Sequence, residues 1–288
     1  MKRRTMIAGS GAFMLAGIGT MLARPAERGG MHQAYFARLS AALKRAGMLR
    51  PTLVIDRGRL LANIAAIRKS VGGAKLPLRV VAKSLPSPKL LDTIMTGMGT
   101  QRLMVFSAEM LMQLLQLHGD ADYLFGKPLP VSEYVRLADK AGVESAARIQ
   151  WLIDTPERLT QYLDAAQTRG MRLRANFEID VGLHRGGFSD PQALAAAVRH
   201  AQTAQAEVAG LMGYDPHVPK MPSPDKAYSA AQAAYGAMIS VLKDAGLDPA
   251  ALTLNSAGSP TFRRHCQGTV ANEVSVGSAF VKPGDFDL

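Results

Sequence analysis

The sequence predicts an α/β chain whose main domain is a (β/α)₈ barrel, and three observations carry that prediction. Short apolar, β-branched runs recur along the chain, each followed by a helix-sized stretch. Most of those stretches open on a helix-start signal. Reactive side chains gather just after the runs, where a parallel barrel places its loops. Composition permits such a fold, since 48% hydrophobic and 20% charged residues over 288 positions can bury a core.

The chain starts with an expected export signal over residues 1–30. Lys2-Arg3-Arg4 precedes an uncharged, Gly- and Ala-rich stretch from Thr5 to Leu22, followed by Arg24 and Pro25. Adjacent arginines before a weakly apolar run resemble a twin-arginine signal; a general secretory signal or an uncleaved single-span anchor is the other reading. Residues 31–50 are expected to hold a helix, and the barrel is expected over 51–288. Thr52–Ile55 reads as an early strand, and Asp56 caps a helix carrying Leu60, Leu61, Ile64 and Ile67. Eight strands then follow at Leu78–Ala82, Leu103–Phe106, Asp122–Phe125, Ile149–Ile153, Leu173–Ile179, Val208–Met212, Leu252–Leu254 and Glu273–Val276. Between them Ser107 and Ser132 are expected caps, and Thr155-Pro156, Asp190-Pro191 and Ser223-Pro224 set proline in a first turn. Eight βα units point to closure into a barrel, with an open doubly wound sheet as the alternative.

Charge and cysteine content exclude several classes. One cysteine, Cys266, rules out a disulfide framework within the chain and a zinc site of several thiolates. The net charge of +11 falls to +7 without the first thirty residues, and the excess forms no basic block with interleaved aromatics. Nucleic-acid binding is therefore not expected, whereas an anionic cofactor or substrate is compatible. His32, His118, His200 and His265 lack metal-ligand spacing, and Trp151, Met110 and Met112 read as core.

Candidate chemistry lies at the strand ends. Lys83 follows the first of the eight strands; Asp180, His184 and Arg185 follow the fifth; Tyr214 and His217 follow the sixth. Asn255, Ser256, Gly258 and Ser259 follow the seventh, and Gly277 and Ser278 the eighth. Such small-residue turns let backbone N–H groups and hydroxyls approach a phosphate. A buried, desolvated lysine suits a Schiff base with a carbonyl, and lysine plus phosphate cradle is the minimal kit for pyridoxal 5′-phosphate. Each residue also has an ordinary reading: Lys83 as a solvated loop lysine, Arg185 as an ion-pair partner of Asp180 or Asp215, Tyr214 as a core aromatic, and the small-residue turns as plain barrel loops.

Four motifs occur in order: Arg79-Val80-Val81-Ala82-Lys83-Ser84, Glu178-Ile179-Asp180-Val181-Gly182-Leu183-His184-Arg185-Gly186-Gly187, Gly213-Tyr214-Asp215-Pro216-His217 and Asn272-Glu273-Val274-Ser275-Val276-Gly277-Ser278. Together they resemble the alanine-racemase-like barrel of fold-type III pyridoxal-phosphate enzymes, in its D-threonine aldolase and D-serine dehydratase branch. The resemblance implies a Schiff base at Lys83 and Arg185 directed at the cofactor ring oxygen or the substrate carboxylate. It implies Tyr214 or His217 against the ring, and Asn255, Ser256, Gly258, Ser259, Gly277 and Ser278 at the cofactor, most of them around its phosphate. The expected activity is a lyase acting on D-configured β-hydroxy amino acids, with a racemase or a non-catalytic cofactor carrier as alternatives. A homodimer, an amino-acid substrate, and a periplasmic or inner-membrane-anchored location complete the expectation.

Two departures stand out. Alanine racemases of this fold carry an arginine, in contact with the pyridine nitrogen, where this chain has Ser275. The family also continues into a carboxyl-terminal β domain, which in the aldolase and dehydratase branch supplies ligands for a divalent metal. Those ligands are absent from this sequence, so no metal site is expected in it and a truncated chain is. Thr52–Ile55 matches the strand that would pair with that domain.

Overall fold

The computed structural model describes residues 34–282 apart from Pro86 and Ala147. The expected export signal lies outside the described residues, as does the end of the chain from 283. Two compact units divide at Val54 and Ile55. The first contains helix α1 (Ala34–Arg45), whose residues are all at least partly exposed.

The second unit is built on eight parallel strands that close on themselves in sequence order. They are β1 (Leu78–Val81), β2 (Arg102–Val105), β3 (Asp122–Phe125), β4 (Ile149–Ile153), β5 (Arg174–Ile179), β6 (Glu207–Gly213), β7 (Thr253–Ser256) and β8 (Glu273–Val276). Closure is the pairing of β1 with β8, in register at Leu78 with Val274 and Val80 with Val276. Helices α2 (Arg57–Gly73), α3 (Pro88–Met98), α4 (Ala108–Leu117), α5 (Val131–Ala146, broken at Gly142), α6 (Pro156–Thr168), α7 (Pro191–Thr203) and α8 (Pro224–Asp244) alternate with them, and a one-turn α9 (Phe262–His265) precedes β8.

The start signals act locally as their chemistry requires. Asp56, Ser107, Thr155 and Asp190 each accept a hydrogen bond from a backbone N–H of the first turn, satisfying donors that have no partner within the helix. Ser223 stands at the N-cap before Pro224 without such a bond. Ser132 does not cap: α5 has already started at Val131, which puts its hydroxyl within the first turn. Thr52–Ile55 is in no strand, because β composition makes a strand only where another backbone completes the ladder. Leu53 is 89% exposed.

Outward-facing residues of the strands pack under the helices. Trp151 stacks on Phe125 and meets Tyr134 and Tyr162 edge-on, filling the space beneath α5 and α6. Met110 and Met112 pack against this core, as expected.

The inward face toward the amino ends of the strands is polar. Arg79 is fully buried and holds Glu273 by two hydrogen bonds, at 2.7 and 3.1 Å. It also donates to Asp122, which in turn pairs with Arg174, and Arg174 continues to Glu207. Burial alone would raise the Asp122 carboxyl, but Arg79 and Arg174 outweigh it and hold the pKa below its usual value. Gln150 and Asn176 extend the network across the barrel. This paired layer forms the base on which the carboxyl-end loops rest.

Candidate active site

A cavity of about 330 Å³ opens at the carboxyl ends of the strands, lined by residues of β1, β2, β6, β7 and β8, by the loops that follow them, and by the loops after β3 and β5. Pockets there are usual for barrels, because the βα loops can vary without disturbing the core. Lys83, Arg185, Tyr214, Asn255, Gly258, Ser259, Gly277 and Ser278 all line it. These residues lie up to 195 positions apart in the sequence.

Lys83 sits beyond the end of β1, in a 3₁₀ turn over Ala82–Ser84. Its side chain is exposed to the cavity mouth rather than buried, because the chain has already left the barrel wall at that point. The ammonium lies 3.9 Å from the centroid of the Phe106 ring and has no acidic partner among the described residues. Desolvation, then the positive charges of Arg185 and Lys127, lower the lysine pKa. All three disfavour the ammonium and favour the nucleophilic amine.

Arg185 donates to Glu178 at 2.6 Å, and its guanidinium lies 5.1 Å from the Tyr214 ring. Its acidic partner is thus neither Asp180 nor Asp215. Asp180 instead closes its own turn, accepting from the backbone N–H groups of Gly182 and His184 and pairing with the His184 ring. Tyr214 presses on the turn after β7: a Cβ on Gly258 would meet Tyr214 Cε2 at 2.5 Å, so only glycine fits. Burial raises the Tyr214 phenol pKa.

The two small-residue turns are tied through one hydroxyl. Ser259 Oγ accepts from Gly277 N at 3.2 Å and from Ala279 N at 3.0 Å. With both lone pairs engaged, only its proton remains to be given, and the residue faces the cavity. A Cβ on Gly277 would stand 2.8 Å from Val81 Cβ, so glycine is what lets β1 and β8 carry these turns side by side. Behind the β7 turn, Thr261 takes the N–H of Gly258 and donates to Asp215, whose other oxygen meets His265 at 2.9 Å. His265, which lacks metal-ligand spacing in the sequence, is a buried support of this turn.

The structure keeps two expected residues out of the cavity. The Ser256 hydroxyl donates to the Gly213 carbonyl, on the opposite side of β7 from Asn255 and Ala257. His217 does not line the cavity; its ring lies beside Gly182, 3.1 Å from where a Cβ there would stand. The turn at Asp215-Pro216 carries it past the opening, and Tyr214 alone of the pair reaches the cavity. Asn255 lines the floor, but its carboxamide is committed to Glu273 and Ser275. Phe106 and Ser275, which line the cavity, and Glu178, which holds Arg185, are among the contributors that motif reading did not select as site residues. Glu178 and Ser275 stand on the inner face of β5 and β8, and Phe106, just past β2, is in phase with Met104; the two-residue alternation is visible in the sequence. Among the described residues no three His, Cys, Asp or Glu side chains gather as metal ligands.

Comparison with known proteins agrees with this architecture. Residues 55–283 match the family described as alanine racemase, N-terminal domain. The alanine racemase of Thermobifida fusca is 30% identical over 204 residues, covering 68% of this chain and 51% of that protein. The chain therefore spans about half the length of that curated relative. Solved structures with the same fold include a D-threonine aldolase from Filomicrobium marinum (TM-score 0.68, 23% identity, 82% of this chain and 63% of that one). A D-threo-3-hydroxyaspartate dehydratase from Delftia sp. HT23 is similar (TM-score 0.66, 16% identity, 78% and 59%). So is an alanine racemase from E. faecalis (TM-score 0.63, 17% identity, 78% and 58%).

Proposed function

The chain belongs to the alanine racemase N-terminal-domain family, and from that premise we propose that its cavity binds pyridoxal 5′-phosphate as the barrel of a lyase for D-configured β-hydroxy amino acids. The observation that carries the reading is the pairing, in one cavity, of an unneutralised lysine with a turn that offers a hydroxyl proton. The residues fit the cofactor. Lys83 would hold its aldehyde carbon, and Ser259, Gly258, Gly277 and Ser278 its phosphate, where missing side chains leave room for an anion. Tyr214 would lie against the ring. Bound there, the cofactor supplies an electron sink for negative charge developing at the substrate Cα.

The protein's own part is positioning and proton handling. Arg185, held by Glu178 and stacked on Tyr214, is oriented for the cofactor ring oxygen or a substrate carboxylate. The lowered pKa of Lys83 favours its free amine over the ammonium and so suits it to take up a proton at Cα. Ser275 in place of an arginine favours the lyase reading over racemisation, since the cavity floor lacks a fixed cation. Cleavage of the Cα–Cβ bond releases an aldehyde, whereas loss of the β-hydroxyl leads to a keto acid and ammonia. A divalent metal assists the family's aldolases and dehydratases, and the same dependence is proposed for this reaction.

The test is a screen of D-threonine, D-serine and D-threo-3-hydroxyaspartate with the cofactor-loaded protein, with and without added divalent metal. Aldehyde or ammonia release from a D-substrate, and none from its L-enantiomer, is expected. Racemisation without cleavage would replace the lyase reading with the racemase one. Bound cofactor with no turnover of any of these substrates would make this a carrier. Homodimerisation and export to the periplasm or inner membrane belong to the same proposal, and sedimentation and cell fractionation test them.

A further inference from the structure

The floor of the cavity ends in a hydrogen-bond chain that runs in only one direction. Arg79, fully buried, donates from Nε and Nη2 to the two oxygens of Glu273. Arg102 stands 3.4 Å from the second of those oxygens. Asn255 Nδ2 donates to the first at 2.7 Å. A guanidinium has donors only, so Glu273 must accept throughout. The Asn255 amide therefore cannot be turned round, because its oxygen would then face a carboxylate oxygen at the same short distance. With Nδ2 on Glu273, Oδ1 points at Ser275, and Ser275 Oγ donates to it at 3.0 Å.

This uses the single proton that Ser275 owns. Ser275 and Asn255 are 3% and 1% exposed, and both line the cavity. No donor among the described residues reaches Ser275 Oγ, so what it presents to the cavity is lone pairs. If a ligand demanded its proton, Asn255 Oδ1 would be left without a donor in a buried place, a state proteins avoid.

We propose that the cavity floor is a fixed hydrogen-bond acceptor at Ser275 that selects a ligand carrying a proton donor there. This rests on the reading of the cavity as a pyridoxal-phosphate site, and for that ligand the donor is its protonated ring nitrogen. The ring nitrogen lies across the ring from the aldehyde carbon. Lys83 stands above the strand ends, and Ser275 stands two residues down β8 from Gly277, one layer deeper in the barrel. A protonated ring withdraws charge from Cα more strongly than a neutral one. Any amino-acid reaction that builds negative charge at Cα, cleavage and β-elimination included, gains from that withdrawal. Ser275 is in this sense a specificity-determining residue, positioned by Arg79 and Glu273 through Asn255.

The direct test is ¹⁵N NMR of the protein loaded with cofactor labelled at the ring nitrogen, after borohydride peptide mapping has shown whether Lys83 carries the label. The expected result is a pyridinium resonance that persists to higher pH than in the free cofactor. Ser275→Ala should move it toward the unprotonated position. An analogue with a ring C–H in place of the nitrogen should bind about tenfold more weakly, the size of one buried hydrogen bond left unmade. A neutral-pyridine resonance in the wild-type protein with Lys83 labelled overturns this inference and leaves the cofactor assignment standing. No cofactor at Lys83 overturns both. The wild-type spectrum alone decides the matter, so a Ser275 variant that fails to fold costs nothing.

Discussion

At the amino ends of the strands, Arg79, Arg102 and Arg174 meet Glu273, Asp122 and Glu207; at the carboxyl ends, Lys83 meets the face of a phenylalanine. Both ends carry cations, on the inner wall at the first and in the loops beyond the strands at the second. At the first, each guanidinium is neutralised by carboxylates, and the network serves as filling and register. At the second, Arg185 is matched by Glu178 while Lys83 has no acid, so its amine is available for chemistry. What sets Lys83 apart from the cations of the base is therefore the lack of a counter-charge among the described residues.

The sharpest break in that contrast comes from removing Lys83. Lys83→Met should abolish the spectral change that pyridoxal phosphate undergoes on the wild-type protein, and should not lower thermal stability at neutral pH. The sign follows from its lowered pKa. Below that pKa the folded protein holds an ammonium it disfavours, so wild-type stability rises as pH climbs from the folded value to the ordinary one, 10.5. The advantage of the methionine variant should shrink over the same interval.

At the opposite end the effect should fall on stability. Arg79→Met leaves the buried Glu273 with only the partly exposed Arg102 as a counter-charge, and should cost about 3–5 kcal/mol in urea unfolding. Adding Glu273→Leu should return most of that loss, since an apolar pair replaces the ionic one. Failure of the double substitution to recover would mean that the network does more than fill the barrel.

A smaller effect is expected at the turn between the two regimes. Gly258→Ala forces its Cβ onto Tyr214 and should destabilise by about 1–3 kcal/mol, with weaker cofactor binding. The smallest concerns Asp122. Its pKa is held below the ordinary 3.8, so its contribution is present above that value and is lost as pH falls through the folded one. Asp122→Asn should flatten the acid limb of a stability–pH curve and leave the neutral region less stable than wild type.

The barrel was legible because buried parallel strands are written as short apolar runs. Ile149–Ile153 was read to its observed ends, and all eight strands were found. Ends blurred where the inner wall is polar. Leu252–Leu254 missed Asn255 and Ser256 of β7, whose side chains look like loop residues until the interior network explains them. Thr52–Ile55 shows the reverse error, strand composition without a partner.

At the site, strand-end position was enough to bring Lys83, Arg185, Tyr214 and the two turns into one cavity. Side-chain direction was harder: Ser256 sits one residue from Asn255 and faces away, a consequence of strand alternation that motif reading passed over. The Arg79–Glu273 pair spans 194 positions, and only the closure of β1 on β8 makes it visible.

The central claim is that Lys83 is reactive because no acid among the described residues neutralises it at a site proposed to take an anion. The most direct measurement is to incubate the purified protein with pyridoxal 5′-phosphate at substoichiometric ratio, reduce with borohydride, and map the modified peptides by mass spectrometry. The account predicts one dominant label, at Lys83, suppressed by excess inorganic phosphate. Label spread over surface lysines such as Lys69 and Lys243 in proportion to their exposure, with Lys83 no more reactive than they are, would contradict it.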